Sequence, residues 1–373
     1  MTSQQSKAYF SARLVPWYRH VKRDLPWRRT RDPYHIWISE IMLQQTRVEA
    51  VIPYFLRFTE RFPTIDALAD APEEDVLKLW EGLGYYSRAR NLQAAAREVR
   101  DEHGGIVPST KEAVSALKGV GPYTAGAILS IAYNVPEPAV DGNVMRVLSR
   151  YFALEDDIAK PATRVKIEKL AKELIPDGAA GDFNQGLMEL GATVCTPRSP
   201  KCLVCPVMEH CAARIAGREE ELPIKTKAKK PRLEPRAVAL VEGEGAQAGK
   251  LLIRQRPQEG LLARMWELPH VPVERAPGAE PDAPAEMDAL ARELASGDGV
   301  AVWPSGWWLN TEHVFSHIRW ELAVYRCRPD ARLRPEALPP HYRWIGPEDV
   351  DAYAFPNVFV RLLQRYWGRG GAS

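Results

Sequence analysis

The stretch Leu117-Lys118-Gly119-Val120-Gly121-Pro122-Tyr123-Thr124-Ala125-Gly126-Ala127-Ile128 decides the fold of the first part of the chain. An amphipathic helix is expected to end at Leu117. Gly119 and Gly121 then make a tight turn, since glycine tolerates positive φ. Pro122 stands where a first helical position belongs, so a second helix begins there. This is a helix–hairpin–helix, whose free backbone N–H groups can grip a DNA phosphate. An ordinary helical turn with a glycine cap would read the same way. A dinucleotide fingerprint is excluded, because no strand precedes the glycines and Gly126 lies too far from Gly121.

Around this hairpin the pattern is helical. Windows such as Asp75–Arg100 and Arg164–Leu174 show apolar residues at helical spacing, with loops such as Asp101–Ser109 between them. The run from Arg218 to Pro231 is polar and charged and reads as a linker. Beyond it, Arg236–Val241, Lys250–Arg256 and Val314–Arg326 are β-branched and aromatic, the mark of strands. Val273–Ala285 is rich in Pro, Ala and Glu and reads as a loop. The expected fold class is therefore multidomain, an all-α helix–hairpin–helix core followed by a smaller α+β domain. A length of 373 residues fits two or three domains, and 45% hydrophobic residues suffice for sizeable cores.

A formal charge of +2 says little about partners. Locally, Arg19, Lys22, Arg23, Arg28, Arg29 and Arg31 are interleaved with Trp17 and Trp27. That mixture suits nucleic acid, and equally a solvated helix face. No apolar run is long enough for a membrane span, and Met1–Lys7 lacks a signal-peptide core. A cytoplasmic or nucleoid location is expected, with no membrane partner.

Four of the five cysteines, Cys195, Cys202, Cys205 and Cys211, are separated by six, two and five residues. Thiols clustered in one loop hold a metal or a cluster more readily than a disulfide framework. Zinc prefers two well-separated short pairs. Crowding into one loop suits a compact multi-iron core, and zinc remains the alternative. The loop is also basic and stiffened by Pro197 and Pro206, which suits a phosphate-facing surface.

Two carboxylates stand out. Glu40 is spaced four from Ile36 and three from Leu43, on a mostly apolar helix face. A desolvated acid there would hold its proton near neutral pH and could donate it. An edge glutamate paired with Arg47 is the plain alternative. Asp141 precedes Gly142-Asn143-Val144 at a helix start, where an Asp is an ordinary N-cap. The same backbone N–H groups would keep it ionised, ready to face a positive transition state.

The order of Glu40, hairpin, Asp141 and cysteine loop resembles the endonuclease III superfamily of DNA glycosylases. Within it the chain is similar to the adenine-specific mismatch glycosylases. The most specific pieces are Leu25-Pro26-Trp27, Ser39-Glu40-Ile41-Met42-Leu43-Gln44-Gln45-Thr46, Gly82-Leu83-Gly84-Tyr85-Tyr86-Ser87-Arg88-Ala89-Arg90-Asn91-Leu92 and Val140-Asp141-Gly142-Asn143-Val144. The resemblance implies a helical domain over 1–217. That domain would hold a six-helix barrel at about 30–140 and a cluster domain from 1–29 and about 141–217. A linker at 218–234 and a Nudix-like 8-oxoguanine-recognition domain at 235–373 would follow. It implies one [4Fe-4S] cluster on Cys195, Cys202, Cys205 and Cys211.

The implied activity is removal of a flipped-out adenine lying opposite 8-oxoguanine or guanine in double-stranded DNA, by a protein acting as a monomer. Glu40 would protonate the base and Asp141 would stabilise the oxocarbenium ion, with Tyr123 and Asn143 assisting Asp141. Trp27, Arg28 and Gln185 match the adenine pocket. Gln45 and Tyr85 match residues that wedge into the duplex, and Gly119 and Gly121 the phosphate clamp. Relatives with lyase activity carry a lysine where this chain has Tyr123. A phenol cannot form their Schiff base, so the chain should be monofunctional.

In the C-terminal region, Phe315-Ser316-His317 resembles the lesion-sensing turn. Arg292-Glu293-Leu294 hints at the Mg²⁺-holding helix of Nudix hydrolases, but Ala295-Ser296-Gly297 follows where glutamates are required. No pyrophosphatase activity is expected. Trp303, Trp307, Trp308 and Trp320 are expected in the core. The competing readings are a bifunctional pyrimidine glycosylase and AP lyase, a non-catalytic iron–sulfur DNA-binding protein, and an electron-transfer protein.

Overall fold

The computed structural model describes residues 3–227, 230–276, 279–330, 333 and 338–368. Ala228 and Lys229 of the expected linker, Pro277 and Gly278 of the expected loop, and the ends of both outer domains lie outside them. In chain order the helices are α1 Ser3–Val21, α2 Pro33–Leu43, α3 Val48–Arg61, α4 Ile65–Asp70, α5 Glu73–Trp80, α6 Ser87–His103, α7 Lys111–Ala116, α8 Pro122–Tyr133, α9 Gly142–Tyr151, α10 Pro161–Leu174, α11 Ala180–Thr193 and α12 Ala212–Ile215. Strands β1 Arg232–Val241, β2 Leu251–Gln255, β3 Trp266–Glu267 and β4 His270–Pro272 follow. Then come α13 Ala283–Gly297, β5 Val302–Val314, β6 Ile318–Pro329, β7 Tyr342–Ile345 and α14 Asn357–Tyr366. Two compact units result: Met1–Ala71 with Arg88–Lys227, and Pro72–Ser87 with Ala228–Ser373.

In the first unit, α1 packs on α11, and α11 on α8 and α9. Phe10 and Leu14 of α1 share a core with Val144, Leu148, Phe183 and Leu187, and Cys195, Cys205 and Cys211 pack against its edge. Helix α2 starts where Asp32 accepts the Tyr34 N–H at 2.8 Å and Pro33 occupies the first position. Ile36 through Met42 are all buried. A helix buried all round has no wet face, so Glu40 is carried into the interior. The carbonyls at the end of α2 need donors. The Arg88 guanidinium donates to the carbonyls of Ile41 (2.7 Å), Met42 (3.1 Å) and Gln44 (2.6 Å). Its charge also suits the negative end of the helix.

In the second unit a four-stranded sheet, ordered β4-β1-β6-β5, stands beside a three-stranded sheet, ordered β3-β2-β7. Strand β1 runs parallel to β6 and antiparallel to β4. Side chains alternate across a strand. Ala237, Ala239 and Val241 therefore meet Leu290 and Leu294 of α13 on one face. Val238 and Leu240 meet Ile253, Phe355 and Phe359 on the other. Coverage of both faces explains why β1 reads as a continuous apolar run. Buried Glu267 is held by Arg254 and Arg256, each at 2.7 Å.

Three expectations change. The Asp75–Arg100 window is two helices, interrupted by a turn in which Gly82, Gly84 and Tyr85 take φ of 103°, 71° and 48°. Val314–Arg326 is broken at Phe315-Ser316-His317, which joins β5 to β6. Trp303 and Trp307 are 63% and 56% exposed, because β5 is the sheet's edge strand, while Trp320 is buried as expected.

Arg88→Leu should destabilise the first unit by at least about 2 kcal/mol, since each carbonyl left buried without a donor costs about 1–3 kcal/mol. Urea unfolding followed by circular dichroism measures this, and an unchanged midpoint would contradict the role given to Arg88.

Candidate active site and cluster loop

The first unit holds a cavity of about 160 Å³ walled by Trp27, Arg28, Glu40, Tyr123, Asp141, Asn143, Gln185 and Glu189, among others. Each wall residue has a local reason for its place. Glu40 comes from buried α2. Tyr123 is in the first turn of α8, directly after Pro122. Asp141 is the N-cap of α9, its Oδ1 accepting the Val144 N–H at 2.7 Å. Asn143 donates to Asp141 Oδ2 at 2.8 Å.

The Tyr123 hydroxyl donates to Glu40 Oε2 at 2.5 Å and lies 3.3 Å from Met188 Sδ. Its partner is thus Glu40, where assistance to Asp141 was expected. Burial pushes the Glu40 carboxyl up to about 7, and the charge of Asp141 adds to this. The Tyr123 hydrogen bond and the Arg28 charge act the other way. Burial raises Asp141 as well, against the expectation of a freely ionised carboxylate. The Val144 and Asn143 donors and the Arg146 charge oppose that rise. Asp141 has two close donors and Glu40 has one, so the proton shared by the pocket resides on Glu40. Burial also raises Tyr123 well above its ordinary value, so it stays a neutral donor.

The remaining pocket residues are tied in differently. Trp27 is buried and meets Phe55 edge-on at 5.5 Å. Gln185 Nε2 donates to the Gly181 carbonyl at 3.3 Å. Arg28 pairs with Glu189 at 2.8 Å, and Arg23 grips the same carboxylate at 2.7 and 2.9 Å. Glu189 was not singled out from sequence. The usable signal was an acid between Met188 and Leu190 on an otherwise apolar stretch of α11. Burial would raise its carboxyl, yet the two arginines hold it down at about 2.

In the hairpin, Gly119 has φ of 78°, and a Cβ there would stand 2.7 Å from Asn91 Cβ. Gly121 differs from the expectation, with φ of −90° and ψ of 176°. It caps α8 with no side-chain partner and has open space where a Cβ would be. It leaves a bare surface ahead of the first turn of α8.

Gln45 has φ of 59° just past α2. In the second unit Tyr85 is 44% exposed, while Leu83 and Tyr86 are buried. Ser316 and His317 are exposed, with Ser316 Oγ 3.2 Å from His317 Nδ1. Phe315 is half-buried against Trp320, with ring centroids 4.9 Å apart.

The four cysteines line one cavity with Arg150 and Arg214. Arg150 is 2% exposed. It donates to Cys195 Sγ at 3.4 Å and to the carbonyls of Thr196 (2.7 Å) and Leu222 (2.8 Å). Burial pushes the Cys205 thiol up to about 12 and raises Cys211, and the neighbouring thiols add to both. Four half-buried thiols beside guanidinium groups are a donor set suited to an anionic thiolate cluster, whose irons replace the protons. Arg146 joins this loop to the active site. It donates to the Cys195 carbonyl at 2.8 Å and to Asn143 Oδ1 at 2.8 Å, and Asn143 holds Asp141.

Residues 38–176 match the HhH-GPD superfamily of base excision DNA repair proteins, 195–211 the iron–sulfur binding domain of endonuclease III, and 239–365 the NUDIX domain. The chain is 37% identical to a human protein named adenine DNA glycosylase, over 96% of this chain and 74% of that one. It is 36% identical to the Schizosaccharomyces pombe protein of the same name, over 92% and 86%. A solved thermostable thymine-DNA glycosylase matches 57% of this chain and 99% of its own, at 32% identity and a TM-score of 0.53. Endonuclease III in a non-covalent DNA complex matches 58% and 99%, at 25% identity and a TM-score of 0.50. The cofactor is accordingly a [4Fe-4S] cluster.

Two outcomes check this site. Glu189→Gln should cost about 3 kcal/mol, because removing one partner of a buried ion pair strands the others. A carboxylate whose folded value is depressed stabilises the fold above its ordinary pKa of 4.5 and loses that contribution as pH falls toward 2. Thermal unfolding from pH 7 downward should therefore converge for wild type and variant at the acid end, and parallel curves would contradict the pairing. Cys202→Ser should lower both the iron-to-protein ratio and the melting temperature, and retention of both would contradict a ligand role for Cys202.

Proposed function

This chain belongs to the adenine DNA glycosylase family, enzymes of base excision repair that hydrolyse an N-glycosidic bond, and on that premise we propose that it excises adenine paired with 8-oxoguanine or guanine. The observation that carries the reading is the buried Glu40 carboxyl, held protonatable at about 7 in a cavity it shares with Asp141.

The cavity is smaller than the roughly 300 Å³ of drug-sized sites and suits a single flipped base. Trp27 supplies an apolar wall, and Arg28 and Gln185 supply polar groups for the adenine edge. Glu40 gives its proton to the ring nitrogen N7, with Tyr123 orienting the carboxyl. The glycosidic electron pair leaves with the base. Asp141, held by Asn143 and the Val144 N–H, faces the positive sugar as its charge develops. Water then adds at the anomeric carbon, and its proton passes to the vacated Glu40 carboxylate. The division of labour follows the carboxylate pairs of sugar hydrolases. Tyr123 stands in place of a nucleophilic lysine, so no strand cleavage accompanies base release.

The bare hairpin at Gly119 and Gly121 suits a phosphate, and Gln45 and Tyr85, both in left-handed backbone, suit insertion into a duplex. Phe315-Ser316-His317, at the tip of the β5–β6 hairpin, suits reading of the opposite base. In this reading a linker at 218–234 joins the excising part to the lesion-reading part, with β1 already begun at Arg232 and Pro72–Ser87 grouped with the C-terminal sheets. In this reading Cys195, Cys202, Cys205 and Cys211 ligate the cluster, and the enzyme acts as a monomer on duplex DNA in the cytoplasm or nucleoid.

Single-turnover incubation with a duplex bearing one adenine opposite 8-oxoguanine should release adenine and show strand breaks only after alkali. Glu40→Gln and Asp141→Asn should each slow release by about 100-fold or more. Glu40 acts as its protonated form, populated below its raised pKa, so the wild-type rate should fall as pH rises past about 7. Breakage without alkali would favour a lyase, and wild-type rates in both variants would refute the assigned chemistry.

A further inference from the structure

The turn that bears Tyr85 belongs to the same compact unit as the C-terminal sheets. One of its anchors is an ion pair. Lys78 Nζ on α5 donates to Glu81 Oε2 at 2.7 Å and to the carbonyls of Val350 (3.2 Å) and Tyr353 (3.0 Å). Glu81 Oε1 accepts the Phe355 N–H at 2.7 Å. Both side chains are mostly covered, at 24% and 19% exposure. All three donors of an ammonium group are thus used. Arg264 and Gln255 reach Glu73 and Glu74 at the start of the same helix, at 3.4 and 3.3 Å.

The far side of this anchor leads to the lesion-sensing turn. Phe355 is fully buried in the core that also holds Trp320 and Phe359, and Phe315 packs against that core. Exposed Tyr85 and exposed Ser316-His317, beside half-buried Phe315, are therefore tied to one packed body. Close-packed cores transmit displacement because they do not deform freely.

We propose that Lys78 and Glu81 are positioning residues that lock the Tyr85 turn to the lesion-reading core, so that the domain reading the opposite base also sets the wedge. This rests on the proposed function given above. Coupling of this kind gives preference for one opposite base over another, and contributes little to the bond-breaking step itself.

The test is single-turnover adenine release from two duplexes, with adenine opposite 8-oxoguanine or opposite guanine. Wild type, Lys78→Met, Glu81→Gln and Lys78→Arg are compared. Lys78→Met and Glu81→Gln should lower the ratio of the two rates by about tenfold to 100-fold, the scale of a misplaced positioning group, with the guanine duplex little changed. Lys78→Arg keeps charge and donors and should preserve the ratio. If Lys78→Met fails to fold, Glu81→Gln carries the comparison, since its amide oxygen can still accept from Phe355. An unchanged ratio, or equal slowing on both duplexes, would overturn the latch alone. No release by wild type from either duplex would sink the functional reading and the latch with it.

Discussion

Two buried carboxylates share one pocket, and much of the first unit serves to keep them unequal. Placing two acids in a common low-dielectric space makes double ionisation costly. The pocket resolves this through donors. Asp141 sits at a helix N-terminus with a backbone and an amide donor. Glu40 sits in the middle of a helix that has no wet face and receives one phenol. The asymmetry arises from secondary structure before any side-chain network is added. A cap position offers free N–H groups, and a helix interior offers none.

Positive charge is managed with equal care. Arg28 lines the same cavity as Glu40, and its charge favours loss of the Glu40 proton. Glu189 pairs with both Arg23 and Arg28. Arg146 and Arg150 spend their donors on loop carbonyls around the cysteines. Through Asn143, Arg146 also fixes the rotamer of Asp141. The cluster loop thereby bears on the geometry of the catalytic carboxylate without entering the chemistry. Loss of the loop's order would reach Asp141 through three successive hydrogen bonds.

Much of this was readable along the chain because it is local. The helix–hairpin–helix follows from Gly119 and Pro122, the N-cap of α9 from Asp141, and the burial of Glu40 from its apolar spacing. What escaped was pairing at a distance. Arg88 caps a helix 44 to 47 residues away, and Glu189 meets arginines more than 160 residues earlier. No periodicity encodes such partners. The hydrogen bond of Tyr123 to Glu40 joins α8 to α2 across 83 residues and is not legible in the local sequence. From sequence Trp303 and Trp307 read as core residues, since aromatic content does not distinguish an edge strand from a central one. The grouping of Pro72–Ser87 with the C-terminal sheets depends on tertiary contacts alone.

The measurement that bears most directly on this account is a site-resolved titration of the two carboxyls by ¹³C-labelled NMR, with Glu40→Gln and Asp141→Asn to assign the signals. The account predicts that Glu40 titrates near 7 and that Asp141, though raised by burial, loses its proton before Glu40 does. A Glu40 that titrates in the ordinary carboxylate range, or an Asp141 that holds the proton in its place, would contradict it.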